Sequence, residues 1–69
     1  MKRKPSEIEP AVRRYVGQVE RALVEKFNRG EATAAEWMAD ELPWICDMLD
    51  ASQSAQQTAH ELFMKKIEV

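Results

Sequence analysis

The chain has 69 residues, with 10 Lys+Arg, 12 Asp+Glu and one His, and a formal net charge of −2. Hydrophobic residues make up 45% and charged residues 32%, the balance of a folded domain and not of a disordered tail. The length fits one domain over residues 1–69, and no apolar run approaches the roughly 20 residues that span a bilayer.

The first five residues read as a flexible basic arm carrying Lys2, Arg3 and Lys4. The arm imitates the start of a signal peptide, but Pro5-Ser6-Glu7 stands where an apolar stretch should follow. Ser6-Glu7-Ile8-Glu9 has the form of a capping box, although Pro10 fits the first helical position better than the fourth. Ile8, Val12, Tyr15, Val16, Val19, Leu23 and Phe27 then recur at spacings of three and four, which predicts one amphipathic helix. Glu9→Arg13 and Glu25→Arg29 are favourable i,i+4 pairs along it. Lys26 and Arg29 suit its C-terminus, and Gly30 is expected to end it in the left-handed conformation. Gly17 lies off the stripe, beside Val24, where it either gives another helix room to approach or simply costs about 1 kcal/mol against Ala.

Thr33-Ala34-Ala35-Glu36 predicts the start of a second helix through another capping box. Its apolar residues form two stripes. Met38, Leu42, Ile45 and Leu49 make one; Trp37, Trp44 and Met48 make the other. The combined arc is wider than a single packing partner requires. Pro43 lacks an N–H and crowds the carbonyl of Ala39, so a kink or break is expected near 40–42. Beyond it two paths stay open: a turn near 50–53, or one helix running on from Trp44. Leu62, Phe63 and Ile67 anchor the end in either case. The fold class is all-α, a three-helix domain whose middle helix is kinked or broken at Pro43.

The charge is segregated. Residues 1–30 hold eight basic and four acidic residues, 31–50 hold six acidic and no basic residues, and 51–69 hold two of each. On a straight second helix Glu36, Asp40, Asp47 and Asp50 share one edge, with Pro43 among them. Such an edge suits docking on a basic surface, and equally suits a solvated face or a match to the basic first helix. Lys2, Arg3, Lys4, Arg13, Arg14 and Arg21 are the candidate phosphate contacts, but acids are interspersed among them, unlike the clean basic face of most duplex-binding domains.

Chemistry is sparse. Neither Gly17 nor Gly30 has the neighbouring glycine that a phosphate-cradling loop needs. One Cys cannot close an internal disulfide, and with one His it makes a poor zinc inventory, so no metal or cofactor is expected. His60 reads as a structural or solvated residue, and Cys46 as a small buried hydrophobe. Asp40 and Glu41 have little interior in which to do acid–base work. The expected protein is a cytoplasmic, non-catalytic regulator, inhibitor or adaptor that binds a larger protein. A small nucleic-acid-binding regulator is the alternative. Because cores of this size supply only about 3–5 kcal/mol, self-association is expected, as a homodimer through Trp37, Trp44 and Met48. Phage and mobile-element accessory proteins are often of this size.

Overall fold

The computed structural model describes residues 3–67. A short 3-10 turn at Pro5–Glu7 leads into α1, Glu9–Lys26. Three further helices follow: α2, Glu31–Asp40; α3, Leu42–Asp50; and α4, Ala55–Ile67. The chain is thus all-helical, but with four helices where the sequence predicts three. The extra boundary is a full break at Glu41, within the 40–42 stretch where Pro43 required a kink or break. Glu41 serves both sides of it. Its N–H donates to the Trp37 carbonyl at 3.1 Å, and its own carbonyl accepts from Ile45 N–H at 2.9 Å. Pro43 then occupies the first turn of α3, where a missing N–H costs nothing.

Helix ends depart from the sequence reading in three places. Gly30 is not left-handed; at φ −67 and ψ 152 it is extended, and it opens α2 three residues ahead of the expected Thr33 cap. Its carbonyl accepts the N–H of Ala34 at 2.9 Å. The left-handed residue that ends α1 is Asn28, with φ 54. Asn tolerates this conformation better than most side chains, and it lets Arg29 N–H reach the Leu23 carbonyl at 3.2 Å. At the front, Ser6 does not cap α1. Glu7 reaches back to the backbone N–H of Lys4 at 3.0 Å, while Ile8 precedes the helix and Pro10 sits in its first turn. Of the two open paths after Trp44, the chain takes the turn. Ser52 is left-handed at φ 61, and Ser54 Oγ accepts the N–H of Gln57 at 3.2 Å.

α4 packs mainly along α1, with α2 and α3 closing the sides. Val19, Leu23, Ala34, Ile45, Ala59 and Leu62 are fully buried, with Tyr15, Ala22 and Met38 nearly so. Alanines at this centre let helix backbones approach closely while adding little apolar area. Larger groups therefore seal the rim. Phe27 stacks on Phe63 at 4.7 Å between ring centroids, and Trp37 tilts against the same ring at 6.4 Å. The radius of gyration, 11.6 Å, is close to the roughly 11 Å expected of a compact chain of this length.

One polar node crosses this core. The Tyr15 hydroxyl reaches the Gln53 carbonyl at 2.8 Å and also bonds the Thr58 hydroxyl. Gln53 Nε2 donates to Thr58 Oγ1 at 3.1 Å. The fully buried Thr58 is satisfied by this node, which fixes the α3–α4 turn against α1. Burial pushes the Tyr15 phenol above its ordinary pKa of 10.0, so it holds its proton at neutral pH. Tyr15→Phe strips the Gln53 carbonyl of a donor and Thr58 of a partner. Urea denaturation should show a loss of about 1–2 kcal/mol with an unchanged m-value.

Candidate functional site

The break at Glu41 divides the expected acidic edge between two helices. Glu36 and Asp40 lie exposed on the outer side of α2, and Asp47 lies exposed on α3. Asp50 is turned inward to the 3-10 turn. Its Oδ1 accepts the backbone N–H of Ser6 at 2.9 Å, and its Oδ2 accepts the Ser6 hydroxyl at 2.6 Å. The Ser6 hydroxyl, then the Ser6 N–H, hold the Asp50 carboxyl below its ordinary 3.8. Asp50 is thus engaged within the fold, which corrects the picture of four carboxylates in one row.

Three ion pairs gather at the corner between α2 and α3. Lys65 Nζ lies 3.0 Å from Glu41 Oε1. Lys66 Nζ lies 3.5 Å from Glu41 Oε2 and 3.5 Å from Asp40 Oδ2. Glu41 therefore takes one lysine on each oxygen. Its hydrogen bond to Lys65, with the nearby charges of Lys65 and Lys66, holds its carboxyl below the ordinary 4.5. The Glu41 and Lys66 side chains are only 25% and 22% exposed, against 59% for Asp40. Lys65 Nζ also sits 4.4 Å from the centre of the Trp44 ring. Lys65 and Lys66 were not singled out from the sequence, and Glu41 entered it only beside Asp40, as an acid with little interior for acid–base work. Their signal was there in the want of any cation in residues 31–50 and the paired lysines near the end of the chain. What joins them is the antiparallel return of α4, which charge counting does not reveal.

The apolar candidates are partly spent inside the fold. Trp37 is half-buried against Phe63, and Trp44 is half-buried beneath Lys65. With the helix broken between them, they no longer belong to one straight stripe. Met48 is half-buried. Leu42, at the start of α3, keeps 42% of its surface exposed. Cys46 is half-exposed and not fully buried as expected, and His60 is exposed with its ring edge-on to Phe27 at 5.8 Å.

The basic candidates do not form a single face. Lys2 lies outside the described residues. Arg3, Lys4 and Arg14 are exposed. Arg13 pairs with Glu9 at 2.6 Å, as expected, and Arg21 pairs with Glu25 at 2.8 Å. Arg29 does not reach Glu25. Its Nε donates to the Phe27 carbonyl at 3.1 Å and its guanidinium lies 5.3 Å from the Phe63 ring centre. Gly17 lines an open groove of about 630 Å³ between α1 and α2, together with Glu20, Val24 and Glu31. No atom lies within 4 Å of where its Cβ would be, so its small size serves no contact in this fold.

Among the described residues, no helix is long and apolar enough to cross a membrane, and no three His, Cys, Asp or Glu side chains converge as a metal ion would require. Comparison with protein-family models, curated proteins and solved structures finds no match.

Asp50 makes a checkable contribution in acid. Its folded pKa is depressed, so its stabilisation is complete above the unfolded value of 3.8 and is lost as pH falls through the lower folded value. Asp50→Ala should lower the melting temperature at neutral pH. The gap to wild type should narrow in a melting series carried below pH 3.8.

Proposed function

We propose that this is a non-catalytic, cytoplasmic regulatory or adaptor protein that docks the outer sides of α2 and α3 on a basic surface of a larger protein. The supporting observation is the exposure of Glu36, Asp40 and Asp47 in a stretch without a cation of its own. The ion pairs that reach this stretch from the described residues come from Lys65 and Lys66, and they gather at the corner. Glu36 and Asp47 stay outside them. Exposed charges of this kind govern the rate of encounter and the choice of partner more than the final affinity.

Self-association belongs to the same reading. α3 is rich in apolar residues, yet Ile45 alone of them is fully buried. We propose that a second copy covers Leu42, Met48 and the part of Trp44 that Lys65 leaves open, with the exposed part of Trp37 at the margin. The chain has little core to spare, and a two-fold pairing would add apolar burial without a new element.

Affinity capture tests the docking face. Wild type and the Glu36→Gln/Asp47→Asn variant are immobilised and exposed to nuclease-treated cell extract at low and high salt. Wild type should retain a basic protein that high salt releases, and the variant should retain much less. The variant's melting temperature should hold or rise slightly as like-charge repulsion is relieved. Equal retention by both, or tight heparin binding by wild type, would move the assignment away from an acidic docking face.

A further inference from the structure

The last turn of α4 sits on the same acids that a basic partner would need. Asp40 belongs to the proposed docking face, and Glu41 is the next residue along it. Both are already in contact with ammonium groups of this chain: Lys66 at 3.5 Å from Asp40, and Lys65 and Lys66 at 3.0 and 3.5 Å from Glu41. The same turn lays Lys65 over the Trp44 ring at 4.4 Å. It thus covers two kinds of contact at once, a carboxylate pair and an aromatic face. A basic docking surface would offer these groups the same chemistry, an ammonium or guanidinium beside carboxylates and over an indole.

We propose that the Lys65-Lys66 turn is an autoinhibitory strap, an internal stand-in for the basic partner that must lift before the α2–α3 corner can be fully engaged. This rests on the acidic docking face proposed above. The strap is built to be displaceable. Its anchor is electrostatic and lies at the rim, and Ile67, which follows the lysines, is 49% exposed and does not pin the turn into the core. The buried residue nearest the chain end on α4 is Leu62, about one turn before Lys66, so α4 can stay seated on α1 while its last turn moves. Rim ion pairs weaken with salt, and a partner presenting several cations at once competes effectively with two. Asp47 and Glu36 lie outside the strap and remain open for first encounter.

The test uses the full chain and a short fluorescein-labelled peptide of alternating Lys and Arg, followed by anisotropy. Lys65→Gln/Lys66→Gln removes the strap's charges and keeps its length. Arg14→Gln/Lys26→Gln removes the same net charge from α1 and serves as the control. The strap variant should bind the peptide about fivefold more tightly than wild type, the change expected from freeing partly exposed ion pairs, while the control stays near wild type. Equal binding by all three overturns the strap and leaves the docking face standing. An equal gain in the control makes the effect one of net charge and also overturns the strap. No binding by any of them overturns both readings. A second measurement needs no variant. Raising salt on wild type should shift tryptophan emission to the red and make it more quenchable by acrylamide, with far-UV circular dichroism nearly constant. Emission that ignores salt overturns the strap even where the double variant fails to fold.

Discussion

Pro43 has no N–H to offer the carbonyl of Ala39, and α2 stops at Asp40. Much of the molecule follows from that missing donor. The chain leaves helical geometry at Glu41, with φ −113 and ψ 19, and restarts in a new direction. Two short helices then wrap the α1–α4 pair where one long rod would have run past it. The same residue that closes one helix and opens the next projects its carboxylate toward the end of α4. A local backbone constraint thereby decides where the Asp40, Glu41, Lys65 and Lys66 cluster is built.

The interior follows a different logic. Ala22, Ala34 and Ala59 bring the helices close, and the apolar area they forgo is recovered at the edges by Phe27, Phe63 and Trp37. Close helices leave little room for error in the polar groups between them. Tyr15, Gln53 and Thr58 satisfy one another, and no buried side-chain nitrogen or oxygen among the described residues is left without a partner. A small core made mostly of alanine and aliphatic residues thus gains its register from a few directional bonds.

What could be read from the sequence was what depends on local periodicity. The stripe from Ile8 to Phe27 covers α1, with Ile8 and Phe27 flanking its two ends, and the Pro43 distortion falls within the expected residues. The turn before α4 was one of two open readings, because Ser52 and Ser54 carry turn chemistry without a glycine to announce it. Gly30 misled, because glycine permits a left-handed cap without compelling one, and Asn28 took that role two residues earlier. The acidic row misled for a longer-range reason. Asp50 is 44 residues from Ser6, and Glu41 is 24 from Lys65. No period within a helix encodes which distant group will arrive, so a carboxylate's partner emerges only from the way the helices return on one another.

That return has a consequence for synthesis. The buried stripe of α1 finds its main cover in α4, and Tyr15 finds its hydroxyl partner in Thr58, at the far end of the described chain. A ribosome adding about 5–20 residues per second needs roughly 2–8 s to pass from the end of α1 to the end of α4. Until α4 emerges, Val19 and Leu23 lack their main cover. The arginines and glutamates on the back of α1, four of them paired one turn apart, give the waiting helix a charged outer face until its partner emerges.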